Sequence, residues 1–467
     1  MNRSKKLIAL LGVLAVASIA AFAAIRWEEH QEDIQNTDAV ILEVPTESVQ
    51  SLSWEYQSDT LSFHRDGTWI YDGDEAFPVD EEKVDGLLEQ FQSFGAAFII
   101  ENVEDYGQYG LDDPVCTIKL GTDSRSYEIK LGDYSKMDSQ RYVDIGDGNV
   151  YLVKNDPLDD FDAGLSDIIR HDEIPAFGQV SKIQFSGAVD YSVSYEENGG
   201  NSYRNGDVYY TSNGRNQVPL DTTRVTSYLN ELGSLTLTNY VTYNATQEGL
   251  QSYGLDRPEL TVSVDYQDED ESARTFVLHL SRDPAEQDGS TNESRTITAY
   301  ARVGDSPIVY KIPSTSYTSL MAASYDDLRH REVLPADFAD ISQLDISLDG
   351  QTYTLASEKK DNARTFSYQG GELDMTQLQS ALEALSADSF TDESPGQKQE
   401  IGLTVHLDRD GSPTVQIGLY RYDGAHCLAV VDGTPVSLVD RADVVELMEA
   451  VNAIVLNPGA QSDRPDL

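Results

Sequence analysis

The chain has 467 residues, 39% of them hydrophobic, with 26 Tyr and 13 Phe. That length and apolar content exclude a disordered tail and exceed one ordinary domain, so two or three cores are expected. The formal net charge of −48 repels nucleic acid and anionic lipid headgroups, which leaves solubility or cation attraction as its use.

Residues 1–6 carry Arg3, Lys5 and Lys6, and residues 7–25 follow with no charge and no Pro. As a helix that run would rise roughly 28 Å, close to the hydrocarbon thickness of a bilayer. Arg26 and Trp27 then suit the far interface. The reading is an uncleaved transmembrane anchor with a cytoplasmic basic tip and an extracytoplasmic bulk. The rival is a cleaved signal peptide, because Ala21-Phe22-Ala23 has the small-x-small form. Four of the 33 bases and none of the 81 acids lie in the first 26 residues, so the remainder carries −52. Residues 26–45 are polar and acidic and read as a stalk.

The first repeat is expected over 46–177. Leu52, Trp54 and Tyr56 alternate with polar residues as a half-buried strand requires. Asp66-Gly67 supplies a hairpin turn, since Gly tolerates a positive φ. Asp80 then opens a helix by accepting from backbone N–H groups that have no helical partner. The flanking Val79 and Val84 have the spacing of a hydrophobic staple. Strands are predicted around Phe98-Ile99-Ile100 and over 115–120, 127–131, 142–145 and 150–153.

The helix start is written three times: Val79-Asp80-Glu81-Glu82-Lys83-Val84, Leu220-Asp221-Thr222-Thr223-Arg224-Val225 and Leu373-Asp374-Met375-Thr376-Gln377-Leu378. Each copy continues into an apolar stripe: Val84/Leu88/Phe91, Val225/Leu229/Leu232 and Leu378/Leu382/Leu385. Two further signatures recur. Tyr109-Gly110-Leu111-Asp112-Asp113-Pro114 matches Tyr253-Gly254-Leu255-Asp256-Arg257-Pro258. Arg170-His171-Asp172-Glu173 matches Arg329-His330-Arg331-Glu332. The two offsets are 144 and 159, because the second copy is longer over 267–272 and 283–295. A second repeat is therefore expected over 178–338. A degenerate third is expected over 339–456, with Ser394-Pro395-Gly396 in place of the signature and a closing helix, before a polar tail, 457–467. One helix per antiparallel meander makes the fold α+β: three tandem related units after an N-terminal transmembrane helix.

The signatures read as structure. Gly makes a tight turn, Leu plugs the core, and Pro launches a strand. His171 with Glu173, and His330 with Glu332, would share one side of a strand and seed a metal or acid–base site. Neither pair has a third ligand close in sequence, so a tie between segments is favoured. Phosphate loops, nucleophile elbows and His-Glu-x-x-His are absent from the sequence. No catalytic, cofactor or metal residue is assigned. Cys116 and Cys427, set in apolar stretches, read as buried free thiols. The adjacent Tyr209 and Tyr210 are a candidate exposed aromatic platform.

A basic tip with one apolar run, strands with a Trp and a Gly turn, a capped helix and then Tyr-Gly-Leu-Asp-x-Pro resemble the bacterial domain of unknown function 4340 family. The likeness covers 46 to about 320 well and is weaker from 341 onward. It implies an envelope protein, often encoded beside ABC-type permeases and auxiliary subunits like those of gliding-motility systems, and it carries no catalytic residues. The expected function is a membrane-anchored extracytoplasmic accessory or scaffold protein of such a transport complex, not an enzyme. The alternative is a stand-alone cell-surface binding protein for a peptide, glycan or cation.

Overall fold

The computed structural model describes residues 33–456, apart from 198, 200–201, 214–215, 288–296, 361–362, 410 and 412. The expected basic tip, the anchor at 7–25, the start of the stalk and the tail at 457–467 lie outside the described residues. Among those residues no helix is long and apolar enough to cross a membrane.

Period-two patterning builds the first sheet. In β3 (Val49–Tyr56) the side chains of Val49, Leu52 and Trp54 are buried, with polar neighbours between them. Leu52 and Trp54 lie opposite Phe63 and Leu61 of β4 (Asp59–Asp66), and opposite Leu120 and Ile118 of β7 (Cys116–Thr122). These cross-strand apolar pairs fix the register, since a one-residue slip would turn every one of them to solvent. Gly67, at φ +77°, turns the chain into β5 (Thr68–Tyr71). The remaining strands are β6 (Phe94–Glu101), β8 (Ser126–Ser135), β9 (Gln140–Asp144) and β10 (Val150–Val153).

Two short strands correct the expected stalk. β1 (Asp33–Asn36) and β2 (Val40–Leu42) both pair with β6. Residues 33–42 are thus an edge of the sheet and not a free spacer. Ile34, Val40, Ile41 and Leu42 give this acidic stretch enough apolar and β-branched character to extend the ladder.

The second sheet comprises β11 (Val180–Gly187), β12 (Tyr191–Tyr195), β13 (Tyr209–Asn213), β14 (Asn216–Pro219), β15 (Tyr240–Thr242), β16 (Leu260–Gln267), β17 (Ala273–Arg282), β18 (Ala299–Val303) and β19 (Val309–Ile312). The third comprises β20 (Ile341–Leu348), β21 (Gln351–Lys360), β22 (Ala363–Tyr368), β23 (Gly371–Leu373), β24 (Ala387–Phe390), β25 (Gln399–Leu407), β26 (Thr414–Arg421), β27 (His426–Val431) and β28 (Thr434–Asp440).

All three share one strand order. In the third it runs β23-β22-β21-β20-β25-β26-β27-β28-β24, and in the second β14-β13-β12-β11-β16-β17-β18-β19-β15. The first runs β5-β4-β3-β7-β8-β9-β10-β6-β1, lacking the outermost strand beside β5 and adding β1 and β2 against β6. In each, the strand after the helix crosses to the far side of the sheet and pairs with the last strand of the meander. These are repeated α+β units built on antiparallel sheets. The third repeat keeps every strand, so its degeneracy is confined to the signature, where residues 391–398 form an exposed loop.

By internal contacts the chain divides into two compact units. One holds Met1–Asp172 with Thr242–Ala245, and the other Glu173–Val241 with Thr246–Leu467. The second therefore contains both the second and third sheets; the third sheet's core takes in Val333 and Leu334 of the link with Ile341 and Leu344, and Tyr203 packs against it.

The helices Glu81–Glu89, Thr222–Ser234 and Thr376–Ala384 bury their stripes. Asp80 Oδ1 accepts from Lys83 N at 3.3 Å, and Asp221 Oδ1 from Thr223 N at 2.9 Å and Arg224 N at 3.3 Å. The third helix differs from expectation. Met375 occupies its cap position, and Asp374 instead forms a turn, accepting from Thr376 N at 2.9 Å and Thr376 Oγ1 at 2.6 Å. The Thr376 hydroxyl draws the carboxylate one residue out of the capping register.

Candidate functional site

The Tyr-Gly-Leu-Asp signatures sit at turns that feed the meander. Gly110 has φ +70° and Gly254 φ +71°, each closing a 3₁₀ turn. A Cβ on Gly110 would stand 2.9 Å from the Asp133 backbone nitrogen, so both dihedral and space demand Gly. Leu111 and Leu255 are buried. Tyr109 packs on Tyr142 with ring centroids 4.8 Å apart, and Tyr253 on Tyr300 at 5.0 Å. Asp112 is exposed, and Asp256 meets Arg257 at 3.5 Å. Pro114 and Pro258 are half-buried just ahead of β7 and β16. The structure does not gather these residues around a cleft.

The Arg-His-x-Glu copies diverge. Arg170 is exposed and its backbone N–H donates to the Pro78 carbonyl at 2.8 Å. His171 belongs to the first compact unit, while Glu173 is exposed and belongs to the second. Burial and then the Lys83 charge press His171 below the usual histidine range, against the opposing pull of Asp172 and Asp80.

The second copy is a charged cluster within the second compact unit. Asp221 comes from the helix start, Asp207 from the loop ahead of β13, and His330 and Glu332 from the link into β20. His330 Nε2 lies 3.0 Å from Asp207 Oδ1, and its Nδ1 lies 3.6 Å from Glu332 Oε2 and 4.0 Å from Asp221 Oδ2. Asp207 is buried and also accepts from Ser202 Oγ at 2.5 Å. Burial opposes charge on His330, but its bonds to Asp207 and Glu332 outweigh that and lift it to about 9. The same bond to His330 is the leading cause that holds Glu332 down to about 2, against burial.

Two arginines complete the cluster. Arg224 Nε lies 3.3 Å from Asp221, and Arg204 lies 3.9 Å from Glu332 and 3.9 Å from Asp337. Arg204 also donates to the Leu334 carbonyl at 3.0 Å. Arg329, next to His330, stacks its guanidinium over Tyr325 and Phe390 and meets Asp326 at 3.4 Å.

Asp221, His330 and Glu332 offer ligand atoms within 4.8 Å of one another, a span one metal ion can bridge. Thus the third ligand that sequence spacing did not supply, Asp221, arrives from more than 100 residues away. Charge decides how the cluster is used. His330, Arg204 and Arg224 face Asp207, Asp221, Glu332 and Asp337, and a divalent ion would have to displace the proton on Nδ1 beside two guanidinium groups. The arrangement favours an ion-paired, proton-held tie.

It ties the second sheet to the third. Val333 N donates to Leu385 O at 3.0 Å and Ala387 N to Arg331 O at 2.8 Å, with a β-bridge between Glu332 and Ser386. The same loop that carries Asp207 sends Asn205 to Asp340 at 3.1 Å and Tyr203 to Asp432 at 3.1 Å, while Arg409 donates back to Ser202 O at 3.2 Å. Sequence reasoning missed Arg204 and Asp207. The turn residues Asn205-Gly206 mark a loop there, but nothing local points across 123 residues to His330.

With that geometry in hand, the sequence matches the family described as Domain of unknown function (DUF4340) over residues 69–246 and again over 211–404. The chain belongs to this DUF4340 family. No curated protein and no solved structure matches it. The first DUF4340 match begins in β5 and ends just beyond β15, and the second begins in β13 and ends in β25. Each match therefore starts in the edge hairpin of one sheet and ends inside the next. The His171 copy falls within the first match, and Asp221, His330 and Glu332 within the second, whereas Arg204 and Asp207 precede it.

Proposed function

We propose that this DUF4340 protein is a membrane-anchored extracytoplasmic scaffold, an accessory subunit of an ABC-type transport complex. The observation that carries the reading is the use of the repeated residues. Helix caps, turn glycines, core leucines and the His330 cluster are all engaged in building sheets of one repeated topology. Such a division of labour suits a spacer or platform. The uncharged run at 7–25 behind Arg3, Lys5 and Lys6 supports the anchor, and the acidity of all that follows supports the extracytoplasmic side. The family resemblance supports the transport association. The test is capture of the full chain from detergent-solubilised membranes of its own host. Recovery of a permease or an ATPase subunit is expected, and recovery of neither refutes the reading.

The second reading is a cell-surface binding protein. Its expected platform is corrected: Tyr210 is 1% exposed, with its hydroxyl donating to the Gly199 and Asp207 carbonyls at 3.0 Å each. Neighbouring strand residues face opposite ways, so Tyr209 and Tyr210 cannot both present a ring to one ligand. A cavity elsewhere favours this reading instead.

A further inference from the structure

The first compact unit has a cavity of about 500 Å³ at the turn end of the β3–β4 hairpin. Its walls include Trp54, Tyr56, Leu61 and Tyr71, with Asp59 and Asp162 beside them and Gly164 from the turn after the helix Leu158–Phe161. The second repeat shows why this space is open. Trp54 lies opposite Leu61 in the β3–β4 ladder, and Phe185 lies opposite Tyr191 in β11–β12. The 159-residue offset that aligns His171 with His330 also aligns Gly164 with Ala323. In the second repeat Tyr191 spans this gap: its ring packs on Phe185 at 5.1 Å and its hydroxyl donates to the Ala323 carbonyl at 2.8 Å. In the first repeat the corresponding side chain is Leu61, which has neither the length nor the hydroxyl to reach the Gly164 turn. The scaffold is the same, and the filling group is missing.

The walls say what fits. Tyr56 and Tyr71 offer half-buried aromatic surface, while Trp54 is buried against Phe63 and Phe161, and a cation is favoured against aromatic faces. Asp59 and Asp162 add two carboxylates, and among the described residues lining the cavity there is no Lys, Arg or His. An anion would meet repulsion, and a purely apolar group would gain nothing from the two exposed acids. We propose that this cavity is a binding site for a small organic cation, an amine or quaternary ammonium group carried on a compact apolar body. The assignment is independent of the transport-scaffold reading and goes beyond it.

Choline is the probe, titrated into the full chain by calorimetry at physiological salt, where diffuse attraction to the acidic surface is screened. The expected result is a single site that prefers choline over its neutral carbon isostere by about tenfold. Leu61→Tyr copies the residue of the second repeat and should abolish binding while the far-UV spectrum is unchanged. Asp59→Asn with Asp162→Asn leaves the cavity open, and it should weaken choline about tenfold while leaving the isostere unaffected. This pair keeps the test decisive if the tyrosine variant misfolds. Equal affinity for choline and the isostere, choline binding unchanged by Leu61→Tyr in a folded protein, or no binding of choline at all would each overturn the assignment.

Discussion

His330→Gln is the most informative perturbation of the second compact unit. The substitution keeps a polar side chain but removes the positive charge facing Asp207, Asp221 and Glu332. The magnitude follows from the raised proton affinity. A histidine at about 9 when folded, against an unfolded value of about 6.5, stores about 3 kcal/mol in the charged form. His330 is 17% exposed at the side chain, so solvent screens little of this. The lowered Glu332 reports the same bond and is not added to it. A raised histidine stabilises fully below its unfolded value and loses that contribution as pH rises through the folded one. The wild type should therefore exceed the variant by about 3 kcal/mol at pH 6, by about 2 kcal/mol at pH 7.5, and by little above pH 9.5.

The assay is hydrogen exchange of peptides covering 202–208 and 329–336, compared between wild type and variant across that pH range. Trp54 and Trp69 lie in the first compact unit, so tryptophan emission supplies a control that should not move. A wild type–variant difference that is flat with pH refutes the charged histidine. A difference that grows with pH refutes the sign of the argument.

Three further outcomes are expected. Asp80→Ala should cost about 1 kcal/mol in urea unfolding through loss of a cap, whereas Asp221→Ala should cost about 2–3 kcal/mol because it also deprives Arg224 and His330 of a partner. Equal losses would detach Asp221 from the cluster. Gly110→Ala should destabilise by about 1–3 kcal/mol, since its φ of +70° is strained for alanine and the Asp133 backbone blocks the Cβ. Gly86→Ala, on an open helix face, should instead stabilise by about 0.5–1 kcal/mol, and thermal melts that rank the two alike would refute the contrast. Burial pushes both Cys116 and Cys427 up to about 12, so neither should react with a thiol reagent at pH 8 until denaturant is added. A fast-labelling thiol in the native protein would contradict that burial.

The parts of this fold legible in the sequence are those governed by short periods. The Leu52/Trp54/Tyr56 alternation announces a half-buried strand, Asp66-Gly67 a hairpin, and the Leu-plugged glycine turns a repeated signature, each within a dozen residues. The edge strands at 33–42 were masked by acidic composition, which outweighed four apolar side chains in any reading of average character. Strand order was not legible, because pairing between β24 and β28 depends on partners far apart in the chain. The candidate site was half legible. His330 and Glu332 share a strand side by spacing alone, but Asp207 and Arg204 reach them only through the folded loop. Tyr210 illustrates the same limit: its pairing with Tyr209 suggested a surface, while its two carbonyl acceptors draw it inside.

The crossing strand after each helix has a consequence for synthesis. β15 ends at Thr242 and its partner β19 begins at Val309, so a growing chain must add nearly 70 residues before that edge is covered. At about 5–20 residues per second the exposed interval lasts roughly 3–14 s. The corresponding wait in the third repeat, between β24 and β28, is about two-thirds as long at the same elongation rate. The extra residues at 283–295 therefore lengthen the period in which the second repeat presents an unfinished ladder. The second repeat, more than the third, is where a nascent copy of this chain is most exposed to pairing with the wrong strand.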